Sequence, residues 1–399
     1  MSLKLADYQE IVGNSVIEEL RALAEPLAGV SLLHINATRA GGGVAEMLLS
    51  LVPLFNDLGL ETRWEVIEGT ERFFETTKRF HNALQGNRIE IPEALLEEYR
   101  RVNRENAKRL DLSADVVVIH DPQPAALIAA RPNSNWVWRC HIDLSAPDRD
   151  VWGFLSEYVK RYAAAIFSLE EFSQDLPIPE WIIPPSIDPL SDKNKELDKA
   201  QIEAVYERHR IPRDKPVLLQ VSRFDRFKDP VGVVEAYRLA KKEVDCRLVL
   251  AGGGAADDPE GVEVLADVRE AAGDDPDIHI LDLPPDSHIE INALQRGADV
   301  VIQKSTKEGF GLTVTEGLWK GKPVVGGAVG GIKLQIIDGK TGYLVRSVAE
   351  TAEKVLVLLR DPEWAKQLGE AGREHVRERF LITRHLKDYL QLIRSFQDR

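Results

Sequence analysis

Glu308 and Glu316 stand eight residues apart in the stretch Ser305-Thr306-Lys307-Glu308-Gly309-Phe310-Gly311-Leu312-Thr313-Val314-Thr315-Glu316-Gly317-Leu318-Trp319-Lys320. A carboxylate accepts hydrogen bonds, so two of them at this spacing can both face one ligand. The apolar run Val300-Val301-Ile302 reads as a buried strand, and a helix pattern starts near Gly311. The two glycines let the backbone approach a ligand, and the free N–H groups around Gly311, Leu312 and Thr313 would face it at the positive end of the helix. A phosphate fits there. Glu308 falls on the turn and Glu316 about one helical turn further on. Acids near a helix start are also favoured by the dipole alone, and that is the plain alternative for Glu316 taken singly.

Three other groupings carry chemistry. Arg223 and Lys228 lie five apart after the apolar run 217–221. A planar guanidinium fork and a compact ammonium both suit phosphate oxygens, whereas either one alone reads as a solvated basic loop. Gly41-Gly42-Gly43 sits between a strand and a helix, a phosphate-type turn that lacks the G-x-G-x-x-G spacing and has a flexible turn as its alternative. His120-Asp121 and His141-Ile142-Asp143 each end an apolar strand. A single histidine at a strand end is ordinarily structural. Two successive strands ending this way mark the carboxyl edge of a parallel sheet, where ligands bind.

The elements that position these groups alternate along the whole chain. Strands are expected at 30–35, 60–66, 116–119, 136–140 and 165–168, and again at 217–221, 247–251, 278–281, 299–303, 323–325 and 342–345, with amphipathic helical stretches between them. Both halves are therefore α/β with mainly parallel sheets. At 399 residues the chain is long enough for two domains. We place them at 1–190 and 210–375, with a boundary region near 186–212 and a last helix in 376–399 packing back on the first domain. A second glycine turn follows at Gly326–Gly331, and no repeat of 20–50 residues is visible.

Bulk properties remove several classes. With 51 basic and 65 acidic residues the net charge is −14, which argues against nucleic acid or an acidic membrane surface as the main partner and leaves room for a local basic site. No apolar run approaches the roughly 18–20 residues of a membrane span, and the first ten residues have no signal-type core. Cys140 and Cys246 are far apart, each beside an apolar run, and read as buried free thiols in a reducing, cytoplasmic setting.

The Glu-x7-Glu spacing around Gly-Phe-Gly resembles the signature of the retaining glycosyltransferases of family four, and the resemblance extends over nearly the whole chain. It implies the GT-B fold, two Rossmann-like domains with parallel sheets facing across a cleft. The first domain would take the acceptor and the second the nucleotide-sugar donor. It further implies that Arg223 and Lys228 grip the donor diphosphate, that Glu308 holds the donor sugar, and that Glu316 holds the ribose. Gly42 and Gly43 match the loop that closes over donor phosphate and acceptor. His141 matches a histidine near the reacting carbon, and Asp121 an acid on the acceptor hydroxyls. Asp229 departs from the family pattern, where glycine is common, so the local turn is expected to differ.

The finer motifs Gly41-Gly42-Gly43-Val44-Ala45-Glu46, His120-Asp121-Pro122-Gln123, Arg139-Cys140-His141-Ile142-Asp143 and Pro184-Pro185-Ser186-Ile187-Asp188 resemble the branch of the family that joins the glucose of a nucleoside-diphosphate glucose to free glucose, giving α,α-trehalose. No cofactor is then required, magnesium entering only with the nucleotide sugar. Asp148-Arg149-Asp150 imitates a metal-binding acid pair of another fold but follows no suitable strand. A homodimer is compatible with this reading. The competing readings are a retaining phosphorylase acting with inorganic phosphate, a sucrose- or glycogen-type synthase, and a two-domain sugar-binding protein.

Overall fold

A parallel strand covered by helices on both faces has no reason to alternate apolar with polar residues, and the runs Val116-Val117-Val118-Ile119 and Val217-Leu218-Leu219 are of that kind. In the computed structural model, which describes residues 3–39, 42–130, 135–253 and 259–397, these runs are strands in which every residue is buried. The chain forms two compact units, Met1–Pro185 with Ile382–Arg399, and Ser186–Leu381.

Unit 1 holds β1 (Ser31–Asn36), β2 (Glu61–Val66), β3 (Val116–His120), β4 (Asn135–Arg139), β5 (Ala164–Phe167) and β6 (Glu180–Ile182) in the order β2-β1-β3-β4-β5-β6. All of its pairings are parallel. Because β1 is followed by β2 on one side and β3 returns on the other, the chain reverses its direction of travel between β1 and β3. The carboxyl ends of these two neighbours splay their following loops apart and leave a crevice. Gly42 and Gly43 follow β1, and Asp121 follows β3.

Unit 2 repeats the scheme with β7 (Val217–Val221), β8 (Arg247–Gly252), β9 (Ile278–Asp282), β10 (Val300–Gln303), β11 (Val324–Gly327) and β12 (Tyr343–Val345) in the order β12-β11-β10-β7-β8-β9. Its reversal lies between β7 and β10, which pair parallel. The loop with Arg223 and Lys228 leaves β7, and the loop with Glu308 leaves β10. Topology thus brings together residues eighty positions apart.

The unit divisions refine the expected domain limits. Residues 186–198 belong to unit 2, where the Asn292 amide donates to the carbonyls of Asp192 at 2.9 Å and Lys195 at 2.8 Å. The expected tail limit at 375/376 falls inside the helix Pro362–Arg379, and the chain passes back to unit 1 only after Leu381. The helix Ile382–Gln397 then buries Leu386, Tyr389, Leu390, Leu392 and Ile393. Tyr389 meets His34 and Phe55 with ring centroids 5.9 and 6.2 Å apart, and Lys387 pairs with Glu19 at 2.6 Å. The connection from β3 to β4 contains a 3₁₀ helix, Ala125–Ala130, too short for sequence periodicity to reveal.

Cys140 lies in unit 1 and Cys246 in unit 2, both as buried free thiols. Among the described residues no helix is long and apolar enough to cross a membrane.

The last helix contributes core to unit 1 rather than decorating it. Leu390→Ala, at a fully buried position, is expected to cost about 2–5 kcal/mol in chemical denaturation. A loss within 0.5 kcal/mol, the range usual for surface substitutions, would show that the helix is peripheral to the fold.

Candidate active site

At the carboxyl edge of unit 2, the two loops that leave β7 and β10 are tied to one another. The Thr306 N–H donates to the Phe227 carbonyl at 2.8 Å. Lys228 ends a 3₁₀ turn, Arg226–Lys228, whose start is capped by the Asp225 carboxylate accepting from the Phe227 N–H at 2.7 Å. The Gln220 side chain donates to the Lys228 carbonyl at 2.8 Å, fixing the backbone from below. Lys228 Nζ then meets Glu308 Oε2 at 2.5 Å, and the Ser305 hydroxyl donates to the same oxygen at 3.3 Å. Both side chains are largely buried, with 19% and 9% exposed.

Asp229 takes φ 48° and ψ 52°, the left-handed conformation in which glycine is the usual residue. Asp229 thus occupies a conformation that glycine enters without strain. Aspartate is one of the few residues that enters this region readily, and here its carboxylate accepts from the Gly232 N–H at 3.1 Å, capping the helix Pro230–Lys241. Lys304 Nζ forms an ion pair with Asp229 Oδ2. Arg223 behaves differently from Lys228: its side chain is 70% exposed and pairs with Asp225 at 3.5 Å. The two cations expected to act together face different carboxylates. Arg226 is exposed and pairs with Glu263 at 3.2 Å and Asp267 at 3.5 Å.

The loop carrying Glu308 rests directly on the second glycine turn. A Cβ at Gly330 would overlap the Glu308 carbonyl oxygen, and one at Gly327 would overlap the Ser305 carbonyl oxygen. Gln335 closes the other side, its amide donating to the Phe310 carbonyl at 2.5 Å while its oxygen accepts from the Thr315 hydroxyl at 2.5 Å. Gly311, at φ 86°, is the N-cap of the helix Leu312–Trp319, and no side chain caps it. Leu312 and Thr313 are partly exposed in its first turn. Uncapped N–H groups at a helix start are a ready place for an anion.

Glu316 lies inside. Its side chain is 3% exposed; Lys193 is 3.8 Å from Oε1, and the Gln295 amide donates to Oε2 at 3.3 Å. The two glutamates of the motif thus have separate partners. One turn further, Lys320 Nζ donates to Asn194 Oδ1 at 2.9 Å and to the Glu316 carbonyl at 3.3 Å; burial lowers it to about 7, against the attraction of Glu316.

At the carboxyl edge of unit 1, Gly42 has φ 81° and is the N-cap of the helix Gly43–Asp57; Gly41 lies outside the described residues. Asp121 is left-handed at φ 65°. Its Oδ1 accepts from the His141 N–H at 2.8 Å, and its carbonyl accepts from Trp138 Nε1 at 3.0 Å. Burial pushes its carboxyl up to about 6, over the opposing pull of the His141 N–H and the Arg139 guanidinium. His141 and Asp121 are therefore brought together. Asp148 serves as a cap, accepting from the N–H groups of Asp150 at 3.0 Å and Val151 at 3.1 Å. Among the described residues no cluster of three or more His, Cys, Asp or Glu is arranged to hold a metal ion.

Several residues of these edges had no sequence signal of their own. Lys304, at the end of β10, was visible only as a charge after an apolar run. Gln335 and Lys193 are ordinary polar residues until the fold places them against Phe310 and Glu316. His34, inside the apolar run of β1, gave no sign of lying 3.0 Å from His120.

Residues 34–174 match the family model "Trehalose synthase, N-terminal domain", and residues 201–375 match "Glycosyl transferases group 1". The chain is 49% identical to a trehalose synthase of Pyrococcus horikoshii over 403 residues, covering 98% of this chain and 96% of that protein. The chain belongs to the trehalose synthase family. A trehalose phosphorylase of Pleurotus pulmonarius is more distant, at 28% identity over 93% of this chain and 58% of its own length. Among solved structures, sucrose-phosphate synthase from Thermosynechococcus elongatus has a TM-score of 0.72 at 17% identity, covering 92% of this chain and 99% of that one. That likeness shows the GT-B fold, which the trehalose synthase family shares.

The raised Asp121 carboxyl has a sign that can be checked. An acid whose proton is held more tightly in the fold adds stability that is fully present below the unfolded value, near 3.9, and is lost as pH rises through about 6. The stability of the unmodified protein relative to Asp121→Asn is expected to fall over that window in urea unfolding. Parallel pH profiles for the two proteins would contradict it.

Proposed function

We propose that the protein is a retaining glycosyltransferase that moves glucose from a nucleoside-diphosphate glucose to free glucose, forming α,α-trehalose and the nucleoside diphosphate. The observation that carries this reading is the 49% identity over almost the full length of a trehalose synthase. The geometry of unit 2 supports it: a lysine–glutamate pair beside an uncapped helix start suits a donor with a sugar at one end and a diphosphate next to it.

In the reaction the bond between the anomeric carbon and the phosphate oxygen breaks, and the bond to the acceptor oxygen forms on the same face. Departing phosphate takes the acceptor's hydroxyl proton. Negative charge builds on the diphosphate, and Lys228, with the N–H groups of Leu312 and Thr313 after Gly311, stabilises it. Preorganised contacts of this kind are each worth roughly 3–4 kcal/mol of the barrier. Arg223, exposed and paired among the described residues with Asp225 at 3.5 Å, can swing onto the diphosphate at small cost. Glu308 accepts from hydroxyls of the donor glucose while its other contact steadies Lys228. Glu316 takes the ribose hydroxyls, exchanging its present bonds to Lys193 and Gln295.

In unit 1, His141 hydrogen-bonds the donor sugar and Asp121 binds the acceptor glucose, with Gly43 supplying backbone close to the phosphates and Gly42 close to the acceptor. No metal takes a step in this scheme; magnesium enters bound to the nucleotide. Two buried free thiols fit a reducing, cytoplasmic location.

A phosphorylase with the same fold has no ribose to hold, so Glu316 separates the two readings. Incubating the protein with glucose and a panel of nucleoside-diphosphate glucoses is expected to give α,α-trehalose with at least one of them. Glucose 1-phosphate formed from trehalose and phosphate, with no product from any nucleotide sugar, would overturn the synthase reading. Lys228→Ala is expected to lower kcat on the order of 10²–10³-fold with the circular dichroism of the fold retained, and unchanged turnover would remove it from the diphosphate. Glu316→Ala is expected to raise chiefly the donor KM; a loss confined to kcat would contradict a ribose contact.

A further inference from the structure

Three histidines climb one face of the unit 1 sheet toward its carboxyl edge. His34 in β1 is level with Val118 of β3. Two residues on, the same face of β3 carries His120, which is level with Arg139 of β4. Two residues beyond Arg139 comes His141. Period-two alternation across parallel neighbours thus puts all three rings on one side, each a step higher than the last. The rings touch end to end: His34 Nδ1 lies 3.0 Å from His120 Nε2, and His120 Nδ1 lies 3.1 Å from His141 Nε2. The rings of His120 and His141 are nearly parallel, at 14°, with centroids 5.4 Å apart.

A neutral imidazole has one N–H and one lone pair, so a chain of two such contacts has only two consistent proton arrangements. All three rings are held neutral, because burial lowers His34 to about 3 and drives His120 and His141 well below the usual histidine range. In one arrangement His34 donates from Nδ1, His120 donates from Nδ1, and His141 receives at Nε2 and keeps its own proton on Nδ1. In the other, every bond is reversed and the His34 proton sits on Nε2.

The far end of the chain decides between them. His34 Nε2 is buried and has no hydrogen-bond partner among the described residues. The ring lies against Phe55 and Tyr389, with centroids 6.1 and 5.9 Å away. The reversed arrangement would leave an N–H there with nothing to accept it, and orphaned buried N–H groups are rarer in proteins than unfilled acceptors. At the near end, the His141 backbone is fixed by Asp121 and its Nε2 is taken up by His120, which leaves Nδ1 as the ring nitrogen outside the relay.

We propose that His34 and His120 are positioning residues that hold His141 in the tautomer with its proton on Nδ1, so that this N–H is the hydrogen-bond donor offered to the substrate. This rests on the placement of His141 at the donor sugar given above. Neither His34 nor His120 touches substrate in this scheme. They act through His141, and they keep it a neutral donor rather than an acceptor.

Long-range ¹⁵N–¹H correlation NMR on the full chain with ¹⁵N-labelled histidine reads the tautomer directly, with His141 assigned by the signal lost in His141→Asn. The expected result is a protonated Nδ1 and a bare Nε2 on His141. His120→Asp puts an acceptor-only carboxylate near the position of His120 Nδ1, so the His141 proton is expected to move to Nε2 and kcat to fall about tenfold or more, with smaller changes in KM. His120→Asn, whose amide donates from the same place, is expected to retain the Nδ1–H form and to turn over faster than the aspartate variant. A proton on Nε2 of His141 in the unmodified protein, or on Nδ1 in His120→Asp, would overturn the proposal. If the aspartate variant does not fold, the tautomers of the unmodified and asparagine proteins decide alone. The NMR result stands whether or not trehalose forms, so failure of the activity and failure of the relay are separable.

Discussion

The bond between Lys228 and Glu308 at 2.5 Å is the constraint around which the second unit is arranged. Two opposite charges drawn largely out of water are costly unless their geometry is fixed and their remaining hydrogen-bonding capacity is met. Each is fixed from a different strand. Gln220 and the capped turn hold the lysine, and Ser305 and the glycine-backed loop hold the glutamate. The pairing is possible because β7 and β10 are neighbours at the point where the sheet reverses its order, so a short loop from each meets the other. In a chemistry that develops charge on a diphosphate, an ammonium already held in place needs little reorganisation.

Close backbone packing does the equivalent work for the helix start. The turn at 327–331 lies so near the Glu308 loop that Gly327 and Gly330 have no room for a side chain. This contact, with Gln335 bridging Phe310 and Thr315, sets where Gly311 turns left-handed and where the N–H groups of Leu312 and Thr313 point. The glycines of the second turn are thus a support for the first. Asp229 makes a related point, since an aspartate takes the left-handed conformation there and also caps the following helix through the Gly232 N–H.

Much of the fold was legible because parallel strands buried on both faces read as unbroken apolar runs, and Val217–Val221 coincides with the strand found. The pair Lys228 and Glu308 was legible as two strand-end groups, though their contact was not, since it depends on strand order rather than spacing. Glu316 was legible only as a motif position; its burial between Lys193 and Gln295 depends on residues 186–198, inside the expected boundary region, joining the second unit, and a linear reading does not show that contact. The histidine staircase needs the registers β1–β3 and β3–β4, which a linear reading does not contain. His120 and His141 stood out as strand ends, while His34, in the middle of an apolar run, looked like any core residue.

The placement of the donor is the claim on which the account depends most. A crystal structure of the protein with a nucleoside-diphosphate glucose tests it without reference to rates. The account predicts diphosphate oxygens within hydrogen-bonding distance of Lys228 Nζ and of the N–H groups of Leu312 and Thr313, with the glucose hydroxyls on Glu308. A diphosphate bound away from those groups, with Lys228 still closed on Glu308, would contradict it.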